Sequence, residues 1–538
     1  MYFRIKLLCE TLNQYKKIII YGAGNFAREI YLQLSNCDLK KKIVCFAQTK
    51  KAELENIEDI PVMEIGEITC NRKECVVLIA VNELYVNEIK QILLNYGYLN
   101  IVSLCDYRVS YKMTEEAFGR LSTFDEYCEQ IADWHVKTHI GSSDKEIILT
   151  GLKNRGRYVN EKKEPKLIVM ICGHLSPRTI KIIRALKQKQ YTVIMLSYCL
   201  EENKWCIDEL NKLNIDICRC SCIEEMLYKA LSYCPLVYYI EPRWGDCLWP
   251  EILFKNKKYF GKMVLGLYDI LNDGYTGQPE NKLETEKKAL KNADGIVWRW
   301  FSKEYLEQKG LVFQGKSIQF LDYCSYQDYR IVPQSNSSSA LKLCAITGYG
   351  DEYVEERKFT SKYTVWAIVS EILAVIGNRK DCIFHFYAGG FLDDRNIECL
   401  EEYEKKYNNF RFYINTEYGK LLKRLKDYDF GCEFTINKEE APDEFPMGDY
   451  YGSICRNSIR NAYFDFLEAG LPVITTWSSK MWEYLSPYKI VIKMDLSNLD
   501  IDYLKKNRNY YKQEVRKAQK ELDINNQIIR LIHFFKEI

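Results

Sequence analysis

Residues suited to phosphate binding recur in the second half of the chain. Gly348, Tyr349 and Gly350 follow a predicted strand at Leu341 to Thr347, and glycines there would let a diphosphate approach the backbone. Arg456 and Arg460 precede a predicted helix, and an arginine presents a forked set of donors to phosphate oxygens. Either arginine could instead pair with acidic residues of the loop 438–451. These residues predict a site for a phosphorylated ligand.

A helix, a turn and a strand follow the two arginines. Ala462, Phe466 and Ala469 recur at helical spacing, and Gly470 stands where a helix ends. Pro472 cannot continue the helix, and a short β-branched run follows at 473–475. The pattern predicts a helix that leads into a buried strand, as in a doubly wound α/β domain.

The stretch Asn457 to Thr476 resembles the signature of GT-B glycosyltransferases, in which a carboxylate on this helix holds the ribose of a nucleotide-sugar. Asp465 stands at the position of that carboxylate. Many members carry a second glutamate eight residues earlier, where this chain has Asn457, so the stereochemical outcome stays open. The resemblance also implies a basic residue for the leaving diphosphate. The predicted donor site comprises Gly348, Tyr349, Gly350, Lys358, Arg456, Arg460, Asp465 and Glu468.

Three residues on loops after predicted strands are candidates for a general base. His174 follows the strand 167–172, Glu241 follows the strand 236–240, and Asp269 follows the strand that ends near residue 267. An enzyme that inverts configuration needs such a base to deprotonate an acceptor hydroxyl. The alternative is structural, because carboxylates also cap helices or form ion pairs and a loop histidine can bond to the backbone.

The N-terminal segment contains a dinucleotide-type glycine fingerprint. The buried strand Lys17 to Tyr21 runs into Gly22, Gly24, Asn25 and Phe26, and a helix follows. After the next strand, Ile43 to Phe46, an NAD site would carry an acid, but this chain has Ala, Gln and Thr at 47–49. The segment resembles the small Rossmann-like domain of bacterial sugar acyltransferases. It implies either a bound nucleotide or nucleotide-sugar, or a structural role.

The sequence predicts an α/β protein with three Rossmann-like units, the last two forming a GT-B pair with a cleft between them. The predicted boundaries are 1–107 for the N-terminal domain, 108–165 for a helical connector with a charged stretch at Lys153 to Lys166, and 166–335 for the acceptor domain. The donor domain is predicted at 340–505, after a serine-rich linker, and a helical tail at 506–538.

Composition narrows the class of protein. The 538 residues are 47% hydrophobic and 28% charged, as in globular proteins, and the net charge of +2 argues against a general nucleic-acid binder. No apolar run is long enough for a membrane span or a signal peptide, and the 21 cysteines are scattered, which favours reduced thiols in the cytoplasm. Cys218, Cys220 and Cys222 lack zinc-knuckle spacing, so no metal site is predicted. One patch could touch an anionic membrane surface, although a solvated helix end is the favoured interpretation: Lys255, Lys257, Lys258, Tyr259, Phe260 and Lys262.

The predicted function is transfer of a sugar from a nucleoside-diphosphate-sugar to an acceptor hydroxyl, in bacterial surface polysaccharide or glycoconjugate synthesis. The resemblance implies that no cofactor is required and that the acceptor is a saccharide, a lipid-linked sugar or a protein. Two alternatives remain. A scaffold could bind nucleotide-sugar without turnover, which Asn457 favours, or the N-terminal unit could be an NAD-dependent enzyme, which the missing acid disfavours.

Overall fold

The computed structural model of the chain describes residues 2–3, 5–36, 39–49, 56–81, 85–109, 123–138, 145–158, 164–173, 175–197, 204–215, 217–220, 223–242, 247–255, 257–267, 280–299, 306–307, 310–325, 340–347, 365–388, 394–433, 461–475, 480–494 and 499–538. The chain divides into two compact units. The first comprises Met1–Leu175 and Thr192–Met263, and the second comprises Ser176–Tyr191 and Val264–Ile538. Each unit is an α/β structure in which parallel strands are covered by helices.

The first unit opens with a six-stranded sheet in the order β4-β5-β3-β2-β6-β7, parallel except for the edge pair β4–β5. Helices cover both faces, because apolar residues of α1 and α2 pack on one side and those of α3 on the other. The elements are β1 Tyr2–Phe3, α1 Ile5–Asn13, β2 Lys17–Tyr21, α2 Asn25–Asn36, β3 Ile43–Gln48, β4 Asn56–Ile57, β5 Ile60–Glu64, β6 Cys75–Ile79, α3 Val86–Asn95, β7 Ile101–Ser103 and β8 Arg108–Val109.

The rest of the first unit contains four parallel strands in the order β11-β10-β9-β12. Their elements are α4 Phe124–Thr138, α5 Lys145–Tyr158, β9 Glu164–Cys172, β10 Thr192–Ser197, α7 Lys204–Lys212, β11 Ile217–Arg219, α8 Ile223–Ala230, β12 Pro235–Glu241, α9 Leu248–Lys255 and α10 Lys257–Phe260. Between β9 and β10 in sequence lies α6 Pro177–Gln188, which belongs to the second unit.

Helix α5 lies within the predicted helical connector and ends inside its charged stretch, Lys153 to Lys166. Leu149 and Leu152 are buried, and the Lys145 ammonium lies 2.8 Å from carboxylates of both Glu129 and Asp133 on α4. Helix α5 therefore packs against α4 through apolar residues, and exposed ion pairs add to the contact.

The second unit contains two sets of parallel strands. Strands β13, β14 and β15 pair in that order, and six further strands form a sheet in the order β18-β17-β16-β19-β20-β21. Numbered along the chain, the six run 3-2-1-4-5-6, the order of a Rossmann sheet. The elements are β13 Met263–Leu267, α11 Glu280–Asn292, β14 Gly295–Trp298, β15 Lys316–Gln319, β16 Leu341–Thr347, α12 Val365–Ile376, β17 Cys382–Ala388, α13 Asp394–Lys406, β18 Phe410–Ile414, α14 Tyr418–Leu425, β19 Phe430–Glu433, α15 Asn461–Glu468, β20 Val473–Thr475, α16 Lys480–Leu485 and β21 Val491–Lys493.

The C-terminal tail is two helices, α17 Ile501–Glu521 and α18 Ile524–Glu537, where the sequence suggested one. Asp523 separates them, because its carboxylate accepts a hydrogen bond from the Asn525 N–H at 3.0 Å and caps α18. Helix α17 packs against α15 and β16, and α18 packs against α6 and β15. The tail therefore joins the six-stranded sheet to the earlier strands of the same unit.

The predicted membrane patch is only partly exposed to solvent. The Phe260 side chain is buried, and its ring meets the Tyr238 ring edge-on at 6.0 Å between centroids. Phe260 is therefore a core residue and offers nothing to a lipid surface. Among the residues that the structure describes, no helix has both the length and the apolar character needed to cross a bilayer.

Candidate functional site

The predicted helix, turn and strand around Asp465 are confirmed. Helix α15 ends at Glu468, and Gly470 adopts φ +81°, a backbone conformation that favours glycine. The Leu471 N–H donates to the Phe466 carbonyl at 2.8 Å, which closes the C-terminal turn. Strand β20 then pairs with β19 and β21 inside the Rossmann-ordered sheet. The turn fixes α15 against this sheet and thereby positions its polar residues.

Asp465 is a partly buried carboxylate with a defined hydrogen-bond donor. The Tyr418 hydroxyl, at the first residue of α14, donates to Asp465 Oδ1 at 2.6 Å. Burial raises the pKa of Asp465 to about 6, although the charge of Lys181 and the Tyr418 hydrogen bond both lower it. At neutral pH the carboxylate is therefore charged but only weakly solvated, a state suited to accepting hydrogen bonds from a ligand.

Lys181 and Glu468 form a buried ion pair next to Asp465. The two side chains are 3% and 2% exposed, and the Lys181 ammonium contacts Glu468 Oε2. Burial alone would lower the pKa of Lys181, but the carboxylates of Glu468 and Asp465 outweigh it and raise that pKa. Glu468 Oε1 has no hydrogen-bond partner among the described residues. The pair is therefore held by charge, in a place where water is largely excluded.

A second buried charge cluster adjoins the first. Asp322, which follows β15, lies 3.2 Å from Arg178 Nε and 3.3 Å from Arg299 Nη1. The Asp322 charge also raises the pKa of Asp465, so the two clusters act on each other. Together they contain three cations and three anions: Arg178, Lys181, Arg299, Asp322, Asp465 and Glu468. The six formal charges cancel, which makes their burial tolerable.

The C-terminal tail packs against α15. The Gln519 side-chain amide donates to the Leu467 carbonyl at 2.6 Å, so α17 satisfies a carbonyl at the end of α15. Cys324 is fully buried, and its N–H donates to the Leu522 carbonyl at 3.2 Å while the Ile524 N–H donates to the Cys324 carbonyl at 2.8 Å. These contacts hold the tail against the segment that carries Asp322.

The N-terminal glycine fingerprint has a different environment. Gly22 adopts φ +120°, and its N–H donates to the Ala47 carbonyl at 2.8 Å. A Cβ at Gly22 would lie 2.8 Å from the Ala80 carbonyl oxygen, whereas one at Gly24 would meet nothing within 4 Å. Ala47 and Gln48 continue β3, and no acid stands there. The Thr49 hydroxyl instead hydrogen-bonds with the Tyr21 hydroxyl.

Most of the predicted site residues lie outside the described residues: His174, Asp269, Gly348, Tyr349, Gly350, Lys358, Arg456 and Arg460. Asn25 and Phe26 begin α2, and Glu241 ends β12. Glu241 is buried and accepts a hydrogen bond at 3.0 Å from the Tyr239 hydroxyl. The structure brings Asp465 and Glu468 together on one helix, and it places Glu241 in the other unit.

Lys181, Tyr418 and Arg299 are polar site residues that the sequence did not reveal. Each comes from an element distant in sequence from α15, so no local spacing connects them. One signal was present for Lys181, because it interrupts the apolar run Ile180 to Ile183. In the described part of the chain, no group of three or more His, Cys, Asp or Glu side chains could hold a metal ion.

Known proteins offer only distant similarities. No protein-family model matches the chain, and no curated protein matches its sequence. Sucrose-phosphate synthase from Thermosynechococcus elongatus aligns at 13% identity and a TM-score of 0.44, over 68% of this chain and 98% of that one. UDP-GlcNAc 2-epimerase from Neisseria meningitidis, bound to UDP-GlcNAc, aligns at 11% identity and 0.41, over 68% and 99%. Accessory secretory protein 1, 2 and 3 of Streptococcus pneumoniae aligns at 9% identity and 0.42, over 69% and 99%. At these values the α/β assignment rests on the strand order of the chain itself.

Proposed function

We propose that this protein is a glycosyltransferase that moves a sugar from a nucleoside-diphosphate-sugar to an acceptor hydroxyl. The observation that carries the proposal is the position of Asp465 on the helix before β20 of a Rossmann-ordered sheet. That position is the one at which the GT-B signature carries its ribose-binding carboxylate. The order of helix, glycine turn and strand matches the signature as well.

The environment of Asp465 suits this role. A ribose offers two neighbouring hydroxyl donors, and a carboxylate has acceptor capacity on both oxygens. The Tyr418 hydroxyl occupies one site on Oδ1 and orients the carboxyl group, while Lys181 lowers its pKa. Hydrogen bonds to a charged acceptor in a poorly solvated place are stronger than hydrogen bonds between neutral groups. Asp465 would therefore anchor the nucleoside part of the donor.

The other roles in this proposal follow from the resemblance. The segment Gly348, Tyr349 and Gly350, with Lys358, Arg456 and Arg460, would bind the diphosphate and stabilise its departure without a metal ion. Glu468 would act through its ion pair with Lys181. The base would come from His174, Glu241 or Asp269. The acceptor would be a saccharide, a lipid-linked sugar or a protein in surface polysaccharide or glycoconjugate synthesis, and the N-terminal fingerprint would bind a nucleotide or serve the fold alone.

A thermal-shift screen tests the donor site. Full-length protein is heated with UDP, GDP, CDP, their sugars or NAD, in wild type, Asp465→Asn and the matched control Asp427→Asn. Asp427 is an exposed aspartate of the same unit, between α14 and β19. One nucleoside diphosphate at about 100-fold its Kd should stabilise wild type and the control by about 2.7 kcal/mol. Asp465→Asn should lose most of that stabilisation without losing its fold.

Two outcomes would change the proposal. If NAD alone stabilises the chain, or if Asp465→Asn responds like the control, the donor site is not at Asp465. If a nucleotide-sugar binds through Asp465 but neither donor hydrolysis nor transfer follows, the protein is a binding scaffold. Release of nucleoside diphosphate from the stabilising nucleotide-sugar separates a transferase from that scaffold.

A further inference from the structure

Lys181 is a buried lysine on α6, a helix that also buries Arg178. Its neighbours Ile180 and Ile182 are fully buried. A buried ammonium is costly unless a counter-charge accompanies it, and here the counter-charge is Glu468 of α15. If Lys181 served only to stabilise the fold, the pair with Glu468 would be sufficient.

The pair acts on a third group. Glu468 and Asp465 are three residues apart on α15, so their side chains lie on the same face of the helix. The charge of Lys181 acts on both carboxylates. The groups that act on Asp465 from the surrounding elements are Lys181 of α6, Tyr418 of α14, Glu468 of α15 and Asp322 after β15. Two of these four are anionic and disfavour a charge on Asp465.

We propose that Lys181 is a positioning residue, whose ammonium group bridges to Glu468 and keeps Asp465 ionised for the hydroxyl groups of a ligand. Lys181 does not itself touch that ligand. The ligand part of this inference rests on the proposed function, whereas the electrostatic part does not. Lys181 and Glu468 would then act on the pKa of Asp465 in opposite directions, because Lys181 favours the charged carboxylate and Glu468 disfavours it.

The opposite signs provide a test that a purely structural pair would not satisfy. Removing the cation in Lys181→Met should raise the pKa of Asp465, by about one unit or more, because the charge of Lys181 lowers that pKa and a nearby opposite charge typically has an effect of this size. Removing the anion in Glu468→Gln should lower it. Lys181→Arg keeps the charge and should leave it near the wild-type value.

The pKa of Asp465 can be followed through stability without any ligand. Its pKa is raised in the folded protein, from 3.8 to about 6, so the folded state binds the proton more tightly. The contribution of Asp465 to stability is greatest below pH 3.8, its pKa in the unfolded chain. This contribution falls as the pH rises, and the decline ends near pH 6. Comparing unfolding midpoints with and without Asp465→Asn, from pH 4 to 8, isolates this contribution in each background.

We expect the decline to end at a higher pH in Lys181→Met and at a lower pH in Glu468→Gln. If both variants move it in the same direction, or if neither moves it, the positioning role is wrong. Should Lys181→Met fail to fold, Glu468→Gln and Lys181→Arg still decide the question. A second experiment measures the affinity for UDP as a function of pH. In wild type the affinity should fall below about pH 6, and the pH of this fall should move in each variant as the pKa of Asp465 does. Absence of nucleotide binding would contradict the proposed function alone.

Discussion

The parallel strands of the N-terminal sheet and those of the sheet β16–β21 share a Rossmann-type order, but the two sheets differ in what surrounds the expected ligand position. The N-terminal sheet carries the glycine fingerprint, yet Gly22 faces the Ala80 carbonyl, and the hydroxyl of Thr49 after β3 bonds to that of Tyr21 at the end of β2. Next to the sheet β16–β21, α15 carries Asp465 beside a buried cluster of charges. Chain packing alone can therefore account for a glycine fingerprint. Burial of charged groups costs free energy, so packing alone does not account for the charges beside Asp465.

The largest effect should come from the buried charges. Lys181→Met leaves Glu468 buried without its counter-charge, and breaking a buried pair in this way typically costs about 3–5 kcal/mol of stability. The N-terminal counterpart is Lys16→Met, which removes an exposed pair with Glu74 and should change stability very little. Urea unfolding of the full chain with both variants measures the contrast.

A double variant determines what the buried pair contributes. Lys181→Met combined with Glu468→Leu replaces the pair by apolar groups of similar size, and it should recover most of the stability lost in the single variant. If stability is recovered but nucleotide binding is not, the pair is needed for ligand recognition and not for the fold. Equal losses in the single and double variants would instead show that the pair holds the fold.

The glycine fingerprint should respond to packing. Gly22→Ala forces a side chain into φ +120° and against the Ala80 carbonyl, so we expect a loss of about 2–4 kcal/mol. Gly24→Ala, at a position with open space, should leave the unfolding midpoint unchanged. If Gly22→Ala were neutral, the fingerprint would need a ligand to explain it, and the comparison between the two sheets would fail.

Apolar periodicity alone was enough for the buried strands. Lys17–Tyr21 and Leu341–Thr347 have the bounds that the sequence predicts, because each is a run of β-formers fixed locally. Strand β3 runs two residues beyond Phe46, since Ala47 and Gln48 pair with β5. Strand β5 contains a proline and little apolar alternation, so no local pattern predicts it.

The candidate site was predictable only where it is local. Asp465 could be found because helix, glycine turn and strand follow one another within the stretch Asn457 to Thr476. Its environment could not, because Lys181, Tyr418 and Asp322 come from three other elements and meet α15 only through the tertiary fold. A sequence records which residues carry charge, but the pairing of buried charges depends on which elements the core brings together.

The smallest predicted effects concern two tyrosine hydroxyls, that of Tyr418 on α14 and that of Tyr21 on β2. Tyr418→Phe removes the donor to Asp465 and should cost about 1 kcal/mol at pH 8, where the acceptor is charged. The cost should shrink toward pH 4, because protonation of Asp465 weakens that hydrogen bond and the variant itself raises its pKa. Tyr21→Phe removes the hydroxyl that bonds to Thr49, so its cost should not vary between pH 4 and 8. If the cost of Tyr418→Phe were the same at every pH from 4 to 8, the assignment of Asp465 as the titrating acceptor would be contradicted.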